Sequence, residues 1–219
     1  MQGTRFDDRR DAGRRLAAHL LYVAAQRPVV VGLPRGGVPV AAELARELGA
    51  PLQTLVVRKL GAPGNRELAV GAIAEDGTVV LDPRIATSSG MTQATLERAL
   101  SREARELGRR VWRYREARSA DEVAGRTVVV VDDGVATGLT ELAAVRALRA
   151  NGASRIVVAI PVGSASAVAM LEDEADQVVC LMTPEPLFGV GAWYRDFSPT
   201  TDEEVVELLS EAAERTTPP

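Results

Sequence analysis

Two adjacent acids, Asp132 and Asp133, close a run of four valines at 128–131 and open the loop Gly134, Val135, Ala136, Thr137, Gly138, Leu139, Thr140. Four β-branched apolar residues in a row predict a buried strand. Residues 141–150 predict a helix, with Leu142, Val145 and Leu148 on one side. The loop therefore brings backbone N–H groups and the hydroxyls of Thr137 and Thr140 to a helix N-terminus. Unpaired donors and the helix dipole both favour a phosphate there. Carboxylates beside that phosphate repel it unless they hold something else, such as sugar hydroxyls or a hydrated Mg²⁺. A ribose 5-phosphate with free 2′ and 3′ hydroxyls presents all of these together. Other phosphate loops fit less well. The spacing from Gly134 to Gly138 is one residue short of G-x-x-x-x-G-K-S/T and no lysine follows, while G-x-G-x-x-G is absent after the strand.

The elements that must hold this loop alternate between strand and helix. A helix is predicted over 8–26, a strand over 28–33, a glycine turn over 33–39 and a helix over 40–48, ended by Gly49. A second strand follows over 52–58. Residues 60–82 read as irregular, with short strands near 68–73 and 78–81. A long helix covers 92–117. After the acid-ended strand and its helix come a strand at 155–161, a helix at 165–174 and a fifth strand at 177–182. Residues 184–201 form an irregular aromatic segment, and a helix over 202–213 closes the pattern, with Asp202 as its N-cap. This order predicts an α/β fold: a parallel sheet with helices on both faces. Such sheets bind ligands at the carboxyl ends of their strands. Four segments converge there: Arg35, Gly36 and Gly37 after the first strand, Arg58 and Lys59 at the end of the second, the acid pair, and residues 188–196 after the fifth.

The segment at 128–140 resembles the phosphoribosyl-diphosphate (PRPP) binding signature of the type I phosphoribosyltransferases: four apolar residues, two acids, then a loop ending in Thr-Gly-x-Thr. The likeness extends over about 28–197, and with Arg58-Lys59-Leu60-Gly61 it is nearest to poorly characterised bacterial phosphoribosyltransferases. It implies the type I phosphoribosyltransferase fold as a single domain over 1–219: a core about 28–182, a flexible loop and long helix about 60–118, and a small hood about 184–201. It also implies transfer of the 5-phosphoribosyl group from PRPP to a nitrogen nucleophile, a nucleobase, with release of diphosphate and with Mg²⁺ as cofactor. By the resemblance, Asp132 and Asp133 are the catalytic and metal-facing acids, holding the ribose hydroxyls directly or through a metal-bound water. A carboxylate there stabilises an oxocarbenium-like transition state. Gly134, Val135, Ala136, Thr137, Gly138 and Thr140 are expected to bind the 5′-phosphate. Arg35, Gly36 and Gly37 resemble the diphosphate loop, which in this family often carries a non-proline cis peptide, expected here at or next to Arg35-Gly36. Arg58 and Lys59 would add positive charge where diphosphate leaves; a solvated pair at a strand end is the plainer alternative. The 6-oxopurine enzymes carry an acid where this chain has Ala136, which argues against hypoxanthine or guanine as acceptor.

Three further segments have two readings each. Residues 61–67 fit a mobile loop closing over the site, or a solvated loop. Residues 186–197 hold four of the chain's eight aromatics and resemble the hood of purine phosphoribosyltransferases. Phe188 would stack on a base, with Trp193, Tyr194 and Asp196 as rim or polar contacts; a hydrophobic patch pinning the chain end to the core explains the same enrichment. In the long helix, Leu96, Leu100, Leu107, Val111 and Tyr114 share one face, and Arg98, Arg102, Arg105, Arg109 and Arg113 the other. Interspersed Glu97, Glu103, Glu106 and Glu116 favour a solvated outer face over a nucleic-acid stripe.

Composition closes off other chemistry. The 219 residues are 46% hydrophobic, enough for a substantial core, and carry a net charge of −4, which gives no general attraction to nucleic acid. One histidine, His19, and one cysteine, Cys180, exclude most zinc sites and disulfides; His19 reads as structural or surface. Of the 26 basic residues only Lys59 is a lysine. No apolar run is long enough to span a membrane, and the polar first residues predict a cytoplasmic protein. The expected partners are PRPP, a small-molecule acceptor and a second copy of the chain in a homodimer, with neither membrane nor nucleic acid. The runner-up is a PRPP-binding regulatory protein with little or no turnover.

Overall fold

The structure is a computed structural model that describes residues 5–115 and 123–216. Its centre is a five-stranded parallel sheet in the order β2-β1-β6-β7-β8, built from β1 (Val29–Gly32), β2 (Leu52–Thr54), β6 (Thr127–Val131), β7 (Arg155–Val162) and β8 (Gln177–Met182). Successive side chains in a strand point to opposite faces. Val30, Val129, Val131 and Val157 accordingly pack with helices α1 (Arg9–Ala18), α2 (Gly37–Leu48) and α7 (Asp202–Thr216). Val29, Val31, Val128, Val130 and Val158 pack on the other face with α5 (Leu139–Ala150) and α6 (Ala165–Glu172). Each valine of β6 is fully buried, worth about 1.5–3 kcal/mol apiece. This is the predicted α/β fold with helices on both faces.

The stretch predicted as one strand over 52–58 divides between two sheets. The parallel ladder stops at Thr54, opposite the end of β1 at Gly32, and the Val56 N–H is taken by the Glu75 carboxylate at 2.8 Å. The chain then re-enters as β3 (Val57–Ala62), which pairs antiparallel with β4 (Asn65–Ala74), itself paired with β5 (Val79–Leu81). Arg58 and Lys59 therefore lie on the first strand of an antiparallel sheet, not at the end of the second parallel strand. Residues 61–67 form the bulged tip of the β3–β4 hairpin in place of an irregular loop, with Gly64 at φ +77° in the turn. A short helix, α3 (Pro83–Ser88), precedes the long helix α4 (Gln93–Arg115). Leu107 and Tyr114 of α4 are buried as the periodicity predicts.

Two helix ends differ from expectation. The first helix stops at Ala18 and a 3₁₀ turn, Leu21–Gln26, takes its place. Thr201, rather than Asp202, caps α7: its hydroxyl accepts from the Glu204 N–H at 3.1 Å. Asp202 instead accepts from the Tyr114 hydroxyl at 2.6 Å, tying α7 to α4. The segment after β8 contains the 3₁₀ turn Val190–Trp193, and its Tyr194 packs with Phe6 and Val162 in a small separate core. Among the described residues no helix is long and apolar enough to cross a membrane.

Candidate active site

Strands β1 and β6 are neighbours, paired from Val29 opposite Val128 to Gly32 opposite Val131. The chain leaves β1 towards β2 and leaves β6 towards β7, so the loops after them meet where the strand order reverses. Open α/β sheets bind their ligands at this point. A cleft of about 630 Å³ opens there. It is lined by Arg35 and Gly36, by Arg58 and Lys59, by Asp132 and Asp133, and by Gly134, Ala136, Thr137, Gly138 and Thr140. Three sequence segments are thus brought together. Two residues from the same segments serve beneath the surface. Val135 is buried and its N–H bonds the Val162 carbonyl at 2.9 Å. Gly37 packs so closely on β6 that a Cβ would sit 2.6 Å from the Val131 carbonyl oxygen.

The loop has the geometry of an anion cradle. The first intrahelical bond of α5 runs from the Leu142 N–H to the Gly138 carbonyl at 2.8 Å. The N–H groups before it have no helical acceptor. Gly138 takes φ +78°, a left-handed angle suited to glycine, and the Ser164 hydroxyl holds the loop through the Ala136 carbonyl at 2.7 Å. The Thr140 hydroxyl is buried and has no hydrogen-bond partner. A buried polar atom left so costs about 1–3 kcal/mol, and a phosphate oxygen would complete it.

The acids are held from behind. Arg9 of α1 donates its Nε to Asp133 at 2.8 Å, with the guanidinium carbon 3.9 Å from the centre of the Phe197 ring. The Tyr194 hydroxyl donates to the Asp133 carbonyl at 2.5 Å. Asp132 accepts from the Asp133 N–H at 2.8 Å and meets the Glu141 carboxyl. Loss of water around them, with their mutual repulsion, raises the pKa of Asp132 well above the ordinary carboxylate range. Burial also raises Asp133, against the pull of Arg9, and Glu141. Among the described residues no group of three or more His, Cys, Asp or Glu is arranged to hold a metal ion. Mg²⁺ commonly uses one or two carboxylates, several waters and substrate phosphates. The pair Asp132 and Asp133 fits that donor set and does not form an all-protein cage.

Comparison with known proteins agrees with this geometry. The phosphoribosyl transferase domain family matches residues 6–192. The chain belongs to that family. It is 48% identical over 207 residues to a protein named "Putative phosphoribosyl transferase" in two strains of Mycobacterium tuberculosis, covering 94% of this chain. Those relatives are longer, and the chain spans 47% of their length. The crystal structure of TT1426 from Thermus thermophilus is 47% identical and aligns with a TM-score of 0.80 over 95% of this chain and 99% of that one.

Within this phosphoribosyltransferase domain, the aromatic segment is the part whose placement departs most from expectation. None of Phe188, Trp193, Tyr194 and Asp196 lines the cleft; Val190 does. Tyr194 is buried at its bond to Asp133, Phe188 is 88% exposed, and Asp196 turns away to Ser198. The non-proline cis peptide lies at Pro34-Arg35, next to Arg35-Gly36 as the sequence reading expected. Arg66 and Glu67, in the segment with a closing-loop reading, line the cleft from the hairpin. Sequence reasoning missed the lining role of Arg102, Glu103 and Arg110 on α4, which forms a wall of the cleft. Glu141, 4% exposed, shares the stripe of Val145 and Leu148, and an acid on an apolar stripe is a readable signal. The arginine face of α4 is largely paired: Arg102 with Glu103, Arg109 with Glu106, and Arg113 with Asp202 and Glu203. His19 is exposed and Cys180 half-buried, both outside the cleft.

Proposed function

We propose that this domain transfers the 5-phosphoribosyl group of PRPP to a nitrogen nucleophile, a nucleobase, and releases diphosphate. One observation carries the reading: a loop whose N–H groups precede the first helical bond of α5, and whose Thr140 hydroxyl has no partner, opens onto the same cleft as two half-buried acids. A ribose 5-phosphate offers a phosphate and vicinal hydroxyls together. In this reading Gly134, Ala136, Thr137, Gly138 and Thr140 hold the 5′-phosphate, with Val135 anchoring the loop from beneath, while Asp132 and Asp133 hold the ribose hydroxyls. Their charge faces the positive charge that develops at C1 as the diphosphate bond lengthens. Arg35 and Lys59 receive the departing diphosphate, and Gly36 lets the loop close on Asp133. Bound Mg²⁺ would supply charge neutralisation of the diphosphate, through waters held by the two acids. No covalent intermediate on the protein is needed. Phe188, exposed and outside the cleft lining, would have to turn in to stack on the acceptor, and Tyr194 positions Asp133.

Thr140→Val tests the phosphate assignment with little risk to the fold, because the hydroxyl makes no bond in the free protein. The melting temperature should change little, and the PRPP dissociation constant should rise about tenfold. Titration of both proteins with PRPP checks this, and equal affinities would remove Thr140 from the site. For the reaction itself, diphosphate release from PRPP and Mg²⁺ is measured against a panel of nucleobases. Release that requires one acceptor supports the transferase. PRPP binding without release for any acceptor favours the regulatory reading. We also propose a homodimer, for which Val79 and Leu81 on β5 expose apolar surface; a monomer by sedimentation at micromolar concentration would oppose it.

A further inference from the structure

Ala99, Glu103 and Leu107 stand four residues apart on α4 and so share one face. All three are buried, at 4%, 8% and 7% exposure. A glutamate thus occupies a place where the helical pattern calls for an apolar residue. Burying a carboxylate is costly unless it is paired, and both of its oxygens are. Arg58 donates Nε and Nη2 to Oε2 at 3.2 and 3.0 Å. Arg102 donates Nε to Oε1 at 2.9 Å. One arginine comes from β3 and the other from α4, and both line the cleft beside Glu103. Two guanidiniums on one carboxylate leave a net positive charge. Further guanidinium donors, Nη1 of Arg58 and both Nη groups of Arg102, remain for a ligand at the cleft wall.

We propose that Glu103 is a positioning residue that fixes Arg58 and Arg102 as a two-guanidinium plate for the diphosphate of PRPP. This rests on the phosphoribosyltransferase reading and adds a residue from outside its signature. A long arginine loses side-chain freedom when it binds a phosphate, and an arginine already held by a carboxylate loses less. Without the carboxylate between them, two neighbouring guanidiniums repel each other and turn to water. The planar forks suit the two linked phosphates of a diphosphate.

The test is calorimetric titration with Mg²⁺-diphosphate, with PRPP and with ribose 5-phosphate, which lacks the diphosphate. The proteins are wild type, Glu103→Gln, Arg58→Ala and the double variant. Glu103→Gln should weaken diphosphate about tenfold and leave ribose 5-phosphate unchanged. In the double variant Glu103→Gln should cost less diphosphate affinity than it does in wild type, because part of its effect passes through Arg58 and the rest through Arg102. Arg102→Ala, at a more exposed position, should lose diphosphate affinity several-fold in the same selective way, which keeps the test open if Glu103→Gln folds poorly. Equal loss for ribose 5-phosphate, additive effects in the double variant, or tighter diphosphate binding by Glu103→Gln would each overturn the proposal. Those outcomes leave the transferase reading intact where wild type binds PRPP. Wild type that binds neither PRPP nor diphosphate would end both.

Discussion

Asp132→Asn should make the ligand-free protein more stable while it destroys the chemistry. Asp132 is packed against Asp133 and Glu141 and shielded from water, which raises its pKa in the folded state. A carboxyl whose folded pKa lies above its unfolded value contributes stability that is full below the unfolded pKa, near 4, and is lost as pH rises through the folded pKa. At pH 7 the native cluster therefore carries a penalty that an uncharged asparagine of the same shape lacks. The variant should gain about 1 kcal/mol, or roughly 2–4 °C in melting temperature for a chain of this size. The melting temperature of wild type should also fall more steeply than that of the variant as pH rises from about 4 to 8. Turnover should drop about 10²–10³-fold, since a fixed charge facing the reacting carbon is removed. Melting curves across pH, beside diphosphate release, check both halves. A variant less stable than wild type at pH 7 would contradict the burial argument, and one of full activity would remove Asp132 from the site.

Gly36→Ala should act nearly as strongly by a steric route. Gly36 has an ordinary backbone angle, φ −63°, so no torsional preference demands glycine there. Space does: a Cβ would lie 2.0 Å from Asp133 Oδ2 and 2.7 Å from its Cγ. Asp133 cannot retreat without breaking its 2.8 Å pair with Arg9. The methyl must push the acid or the loop aside, at about 1–3 kcal/mol in stability. A displacement of about 1 Å in a reacting group is enough to cost about 10²-fold in rate. Activity and melting temperature of the variant check this. Normal turnover would show that the loop after β1 moves freely relative to Asp133.

These two positions also show what could be read in the sequence. The loop at 132–140 was legible because its chemistry is local: strand, acids, glycine and helix start follow one another with no dependence on distant contacts. The parallel sheet and its helices were legible from alternation. The end of β2 was not, since it depends on distant contacts: β1 ends opposite Thr54, and the Val56 N–H goes to Glu75, 19 residues away. Beyond that bond Arg58 and Lys59 join another sheet, although they still reach the cleft. Gly36 and Gly37 were read as clearance for an anion, whereas in the structure they give clearance for β6 and its acids. Aromatic enrichment at 186–197 could not say which rings face a ligand; Tyr194 turned inward to serve the Asp133 carbonyl. Glu103 and Glu141 left a trace, an acid on an apolar helical stripe, that was readable and was not read.

The most direct measurement is the melting temperature of wild type and of Asp132→Asn/Asp133→Asn, each with and without millimolar PRPP and Mg²⁺. A ligand that binds only the folded state at 100 times its dissociation constant adds about 2.7 kcal/mol, several degrees here. The account predicts that shift in wild type and its loss in the double variant, measured against the variant's own baseline. No shift in wild type, or an equal shift in both proteins, would contradict the assignment of this cleft to PRPP.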